Sequence, residues 1–422
     1  MTSIDQIVVI NDFASASRGG ATVIALQAVR LYRRLGYPVT YICGDAPTTR
    51  LDDMGVTQVT LGSDALLELP ARRALMQGLH NPAAESLVAD WIRDNDTRGT
   101  VYHLHNWSQI LSPSIFRALR EVEDRLIVTC HDFFNICPNG GFSHFPSATP
   151  CQHRSLSARC LVSQCDRIST ARKYWRALRH MRLNSVARFA ENRATFTFLH
   201  DRMLEKFANS GFRAKNLVAI PNPVEAWTDE RVEAERNEGF LFVGRLGHDK
   251  GADLAIKAAG AAGQKITLIG SGKLGTLEAR KNRDARVIGW QDREGIAEIA
   301  RHCRAIIVPS RVTEPFGLVI LEAAMSGLPV ILASHAYLAD DAVRLGFAKT
   351  FNIDRFDQLA SLMGQLAADD DQVGQMSRAG FAGGHALCHT PDTWIGTFID
   401  IFEDKLHSSG RAREPALRRS YA

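Results

Sequence analysis

Phe240-Leu241-Phe242-Val243-Gly244-Arg245-Leu246-Gly247-His248-Asp249-Lys250-Gly251, followed by the alanine-rich run from Ala252 to Ala262, is the stretch that decides how the chain folds. Four consecutive apolar residues without alternation read as a strand buried on both faces, and the glycine-punctuated loop after it leads into a helix. Strand, loop, helix is the repeating unit of an α/β domain with a parallel sheet. Strand-to-helix loops of such a sheet gather at the carboxyl ends of the strands, so Arg245 and Lys250 are expected at the ligand-binding edge.

Farther on, Glu314-Pro315-Phe316-Gly317-Leu318-Val319-Ile320-Leu321-Glu322 sets two carboxylates around a glycine that opens an apolar helix. The start of such a helix offers unpaired backbone N–H groups and the positive end of its dipole, which suit a phosphate. Carboxylates accept hydrogen bonds from vicinal hydroxyls. The order acid, anion cradle, acid therefore fits a sugar, a diphosphate and a ribose in a row, with Arg245 and Lys250 neutralising the diphosphate. Taken singly, each charge reads at least as well as a solvated loop or helix residue. Their joint order and register point to a sugar nucleotide.

These motifs resemble the family 4 retaining glycosyltransferases. The likeness rests on Gly244-Arg245 with Lys250-Gly251, Ile269-Gly270-Ser271-Gly272, Val308-Pro309-Ser310, and Glu314-Pro315-Phe316-Gly317 through Glu322-Ala323 to Gly327-Leu328-Pro329-Val330. It implies the glycosyltransferase B fold, two Rossmann-like α/β domains facing a central cleft. It also implies that Arg245 and Lys250 hold the donor diphosphate, that Glu314 contacts the transferred sugar, and that Glu322 contacts the ribose. Gly244, Gly272 and the backbone N–H groups of Phe316, Gly317 and Leu318 complete the donor site. In this family the departing phosphate takes the acceptor proton, so no general-base carboxylate is required.

The 422 residues exceed what one core usually serves, and two domains are expected. Lys plus Arg exceed Asp plus Glu only as 50 against 46, which argues against a general nucleic-acid binder. The start of the chain lacks a basic region and a long apolar core, so the expected location is the cytosol, at the inner face of the membrane if the acceptor is lipid-borne. Pro315 to Ser334 is the most membrane-like stretch, but Glu322 near its centre makes it a core helix and strand.

Apolar runs alternating with amphipathic stretches divide the chain into an acceptor-binding domain over 1–225, a charged linker over 226–238 and a donor-binding domain over 239–390. A helix over 391–406 is expected to cross back onto the first domain, with a flexible tail over 407–422. Strands are expected at Ile7 to Ile10, Val39 to Cys43, Val101 to Leu104, Leu126 to Cys130, Thr195 to Leu199 and Leu217 to Ile220, then at Phe240 to Val243, Lys265 to Ile269, Ala285 to Ile288, Ala305 to Val308 and Pro329 to Leu332.

In the first domain Gly19-Gly20 follows the first strand, where a backbone without Cβ atoms lets a phosphate or sugar approach, although such pairs are more often plain turns. It is not a dinucleotide fingerprint, and no nicotinamide or flavin cofactor is expected. His131-Asp132 follows Leu126 to Cys130. The resemblance makes His131 the residue lying against the donor sugar, with Asp132 beside it as an orienting or acceptor-side carboxylate. His105 and Asn106, with His103, end another strand and read as acceptor contacts or local packing.

Between about 132 and 193 lies an insertion that the resemblance does not explain. Four of the eight cysteines fall in it: Cys137, Cys151, Cys160 and Cys165. They read either as a structural zinc site or as reduced, packed or redox-sensitive thiols. Arg167 to Arg193 holds eight Lys or Arg against Glu191 alone, interleaved with Tyr174, Trp175, Leu178 and Met181. That pattern suits an anionic lipid surface and a polyprenyl-linked or glycolipid acceptor, or equally a solvated helix face. Asp94-Asn95-Asp96 and Asp369-Asp370-Asp371 do not follow apolar strands, so no divalent metal is expected for the donor.

The reading is a hexosyl-transferring enzyme that uses a nucleoside-diphosphate sugar to extend a surface glycan or lipid-linked oligosaccharide. Two others share the donor site: a synthase of a small soluble glycoside, and a catalytically silent scaffold in a glycan-assembly complex. The nucleobase is expected near Gly289-Trp290-Gln291.

Overall fold

The computed structural model describes residues 3–147, 149–272 and 283–411. The first domain is built on β1 (Gln6–Asn11), β2 (Val39–Cys43), β3 (Thr57–Thr60), β4 (Thr100–Leu104), β5 (Leu126–Cys130), the two-residue strands β6 (Ser143–His144) and β7 (Thr149–Pro150), β8 (Thr195–Phe198) and β9 (Leu217–Ala219). The second holds β10 (Phe240–Val243), β11 (Ile266–Ile269), β12 (Ala285–Gly289), β13 (Ala305–Val308), β14 (Val330–Ala333) and β15 (Ala348–Phe351). Both large sheets are parallel throughout, in the orders β3-β2-β1-β4-β5-β8-β9 and β12-β11-β10-β13-β14-β15. Central strands such as Ile7–Ile10 are sealed on both faces, as their unbroken apolar runs require.

The strands absent from the sequence reading are those with little apolar signal. Thr57-Gln58-Val59-Thr60 and Ala348-Lys349-Thr350-Phe351 are edge strands, partly solvated and so free to be polar. The β6–β7 pair is antiparallel and lies in the cysteine-bearing insertion.

Strand order reverses between β1 and β4 in one sheet and between β10 and β13 in the other. Ligands of doubly wound sheets bind outside the carboxyl ends at such points. The loops that leave β1, β5, β10 and β13 there carry Gly20, His131, Lys250 and Glu314, and these residues line one cleft between the domains.

The helix Pro391–Arg411 extends past 406, so 407–411 is helical rather than tail, and 412–422 lies outside the described residues. Its last turn has no apolar side chain after Leu406, which left the sequence reading without a reason to extend it. Trp394, Phe398, Phe402 and Leu406, spaced four apart on one face, are buried against Ile24, Val29 and Tyr32 of the helix Gly20–Arg34. The stretch 226–238 is no loose tether. Trp227 and Val232 are buried, and their backbone N–H groups donate to Ser326 Oγ (2.8 Å) and Ser326 O (2.9 Å) of the second domain.

The basic segment forms the helix Thr170–Ala187, and its charges are not all on one solvated face. Lys173 and Arg179 point inward. Arg179 donates to the carbonyls of Gly78 (2.7 Å) and Ser108 (2.6 Å). The outward stripe is Tyr174, Leu178 and Met181, continued by Leu75 and Met76 of the neighbouring helix Ala71–Leu79, to which Trp175 Nε1 donates at Leu75 O (3.1 Å).

Truncating the crossing helix at its centre tests its docking. Phe398→Ala is expected to cost about 3–5 kcal/mol in denaturant unfolding of the first domain, and a loss below about 1 kcal/mol would mean that the helix is not held there.

Candidate active site

The cleft has a volume of about 260 Å³ and is walled by Gly20, Ala21, His131 and Asn222 on one side and by Gly244, Lys250, Ser310, Glu314 and Phe316–Val319 on the other. Its chemical centre is Glu314. Lys250 Nζ donates to Glu314 Oε1, and Ser310 Oγ donates to the same oxygen at 2.6 Å. Burial pushes this carboxyl up, but Lys250 and Ser310 together outweigh it and hold the pKa below the ordinary glutamate value. An ammonium and a carboxylate therefore sit side by side as an ion pair on the cleft wall.

Next to them the helix Leu318–Met325 begins at Gly317, in left-handed conformation (φ 72°), with no side chain capping it. Gly317, Leu318 and Val319 all face the cleft, so the uncapped backbone N–H groups and the dipole are available to an anion. The glycine-rich loops fit closely behind. A Cβ on Gly272 (φ 148°) would lie 2.4 Å from the Leu246 carbonyl oxygen, so this glycine shapes the loop carrying Arg245 rather than lining the cleft.

Arg245 lies outside the cleft wall. Its side chain is 55% exposed and is paired with Asp249 on the same loop. Glu322 is also off the wall, one turn into its helix. Burial pushes its pKa up to about 7, opposed in part by Arg293 and by the Trp227 side chain. Gly19 is the residue before the first helix (φ 133°), while Gly20 and Ala21 reach the cleft.

On the first domain's side, His131 Nε2 shares a hydrogen bond with His105 Nδ1 (3.0 Å), and their rings stack at 5.2 Å. His105 Nε2 is buried without a partner. An orphaned acceptor costs less than an orphaned N–H, so His105 donates from Nδ1 and His131 carries its proton on Nδ1. Burial lowers the His131 pKa to about 4 and holds the His105 pKa well below the ordinary histidine value, so both rings are neutral near pH 7. His105 thus backs His131 and does not line the cleft. His103 lies behind it at 4.1 Å, bonded to Tyr32 Oη (3.0 Å) and Thr129 Oγ1 (2.8 Å), with Phe398 of the crossing helix 4.6 Å from its ring.

Asp132 turns back to accept the Phe134 backbone N–H at 2.8 Å, and burial lifts its pKa to about 6. Asn106 is half-buried and does not line the cleft.

Three contributors were given no role by the sequence reading, although Ser310 stood within one of its motifs. Asp12, at the end of β1, is fully buried and accepts from the backbone N–H groups of Gln109 (2.7 Å), Ile110 (2.9 Å) and Leu111 (2.9 Å), fixing the loop that leaves His105. Asn222 lines the cleft, and its Oδ1 is buried without a partner. Ser310 is the second donor to Glu314. Asp12 and Asn222 were signalled only by position, within three residues of the carboxyl end of a strand.

Cys137, Cys151, Cys160 and Cys165 line one separate small cavity with His153. Among the described residues no three His, Cys, Asp or Glu side chains stand as a formed metal site. The two acidic runs do structural work: Asp96 pairs with Arg125 (2.7 Å), and Asp369 caps a helix at Gln372 N (2.9 Å).

Comparison with known proteins agrees with the two-domain fold. Residues 19–223 match the glycosyl transferase 4-like domain, and residues 224–381 match glycosyl transferases group 1. Glycogen synthase of Mycobacterium tuberculosis is 32% identical over 115 residues, which is 25% of this chain and only 28% of that protein. Sucrose-phosphate synthase from Thermosynechococcus elongatus superposes with a TM-score of 0.70 at 15% identity, over 96% of this chain and 100% of that one. Anabaena HepE in complex with UDP gives 0.65 at 15% identity, over 94% and 100%. With the two domain matches together spanning residues 19–381, the chain belongs to the family 4 glycosyltransferases of the glycosyltransferase B fold.

Proposed function

We propose that the chain is a retaining hexosyltransferase that moves a sugar from a nucleoside diphosphate to a surface glycan or lipid-linked oligosaccharide at the cytoplasmic face of a membrane. The observation that carries the donor half is the Lys250–Glu314–Ser310 cluster beside the uncapped helix at Gly317. Lys250 and the helix N-terminus receive the diphosphate and stabilise charge as it departs. Glu314 accepts from sugar hydroxyls, and His131 Nδ1–H and Asn222 Oδ1 face the same space. Arg245 leaves Asp249 to reach the diphosphate. Trp290, 70% exposed after β12, offers its ring to the nucleobase. HepE is known with UDP bound, which supports a uridine donor. No divalent metal is needed for the donor in this reading, since Lys250 and Arg245 supply the positive charge.

The acceptor half rests on the surface stripe of Tyr174, Leu178, Met181, Leu75 and Met76, bordered by Arg72, Arg73, Arg172 and Arg182. Apolar side chains among arginines suit the boundary of an anionic bilayer. Among the described residues no helix is long and apolar enough to cross a membrane. A synthase of a small soluble glycoside would have no use for this stripe.

Lys250→Ala is expected to lower turnover about 100- to 1,000-fold and to abolish the thermal stabilisation that one of UDP, GDP or ADP gives the unaltered chain. Near-normal turnover in the variant, or no stabilisation by any of the three, would remove the donor-site assignment.

Glu322 supplies a pH test. A ribose donating two hydrogen bonds requires the carboxylate, and the free protein's pKa is about 7. Affinity for a nucleotide sugar, whose diphosphate does not titrate here, should therefore be constant above pH 8 and fall by up to about tenfold per unit below pH 7. Calorimetry from pH 5 to 8 is expected to show this slope, and Glu322→Gln to flatten it; an equal slope in the variant would sink the ribose role.

Vesicles with anionic lipid should sediment the chain at low salt, and Leu178→Glu with Met181→Glu should release it. Equal binding to neutral vesicles, or none to either, would count against the membrane surface.

A further inference from the structure

We propose that Cys137, Cys151, Cys160 and Cys165 bind one zinc ion as a tetrathiolate site that fastens the insertion against the donor loop. Cys137, Cys151, the helical Cys160 and, five residues after it, Cys165 all reach the same cavity of about 20 Å³. That volume suits a single ion or water and no organic ligand. In the structure the thiols surround the cavity without a shared centre: Cys137 Sγ turns to Asn139 Oδ1 at 3.1 Å. Zn²⁺ would draw the side chains inward, and the four thiols would lose their protons to solvent as the ion binds.

A second observation is electrostatic. Lys173 lines this cavity and is only 3% exposed, yet its ammonium donates to the carbonyls of Cys160 and Ser163 and to Cys165 Sγ (3.4 Å). No carboxylate among the described residues pairs with it. A buried ammonium is rare without a counter-charge. Asp166 on the same wall is taken by Arg176 (3.4 Å), and Lys206 stacks its ammonium over the cavity-lining Phe142 ring at 4.5 Å. Lys173 thus lacks a counter-charge on this wall, while the half-buried Lys206 is offset in part by Glu205. Zinc with four thiolates carries two negative charges. Donors are already aimed at sulfur, with the His153 backbone N–H 3.4 Å from Cys151 Sγ as well as Lys173 at Cys165, as metal thiolates require of their surroundings.

A third is the scarcity of regular structure. Among the described residues between His131 and Ser169 it amounts to the β6–β7 pair and the short helix Ala158–Val162, and small irregular segments are commonly fastened by a metal. The conformation has a use. Arg167, two residues past Cys165, lays its guanidinium 4.6 Å over the Phe145 ring and reaches Asp249 (3.4 Å), the partner of Arg245. The metal would hold the arm that touches the donor loop. Zinc binding itself does not depend on the transferase reading; the effect on the donor does.

The test is elemental analysis of the full chain made without a histidine tag. About one zinc per chain is expected, and under about 0.2 equivalents overturns the proposal. Cys151→Ser and Cys165→Ser should lose the metal, while Cys388→Ser, in the second domain, and Arg167→Ala should keep it. Should the cysteine variants fail to fold, native mass spectrometry of the unaltered chain decides. A zinc-loaded mass supports the site; an unloaded mass with free thiols, or one lowered by disulfide formation, overturns it. Stoichiometric zinc with unchanged donor affinity in Arg167→Ala would keep the site and remove only its link to the donor loop.

Discussion

The buried carboxylate of Glu314 is the constraint around which the second domain's cleft wall is arranged. Taking a charge out of water is costly unless it is paired and hydrogen-bonded. Lys250 comes from the loop after β10 and Ser310 from the loop after β13, so satisfying Glu314 binds together the two loops that flank the switch point of the sheet. The same arrangement leaves Glu314 ionised and Lys250 positive beside the open start of the helix at Gly317. A stability requirement and a binding requirement are met by one set of contacts.

The first domain uses another device for the facing wall. His131 presents one ring nitrogen to the cleft because His105 occupies the other, and His105 is held by the loop that Asp12 fixes through three backbone N–H groups. Behind these rings, His103 packs on Phe398, which enters from the far end of the chain. The crossing helix therefore supports the active-site wall of the domain it returns to. Its contribution is positional, through packing that includes the cleft-lining Ile24.

How much of this was legible in the sequence follows from where each signal resides. Fully buried strands such as Phe240-Leu241-Phe242-Val243 announce themselves by composition, whereas Thr57–Thr60 and Ala348–Phe351, on sheet edges, need no apolar run. Lys250 and Glu314 were identifiable singly because each follows a strand, but their pairing across 64 positions was not. The basic segment was misleading in part. Nothing in its spacing separates Arg179, which satisfies two backbone carbonyls, from the arginines that face water. The same holds for Arg245, whose engagement with Asp249 depends on a turn geometry that residue types leave open.

Contact between the domains has a consistent polarity. Arg167 and Arg202 of the first domain meet Asp249 and Asp340 of the second. Pairs as exposed as Arg202 with Asp340 contribute little individually and are screened by salt, so together they favour closure without locking it. Asp249 differs from Asp340 because it is largely buried and takes guanidinium groups from both domains. In the proposed function Arg245 would leave Asp249 for the diphosphate, and Arg167 would remain to satisfy the aspartate. One carboxylate thus joins the insertion of the first domain to the loop that carries Arg245 and Lys250.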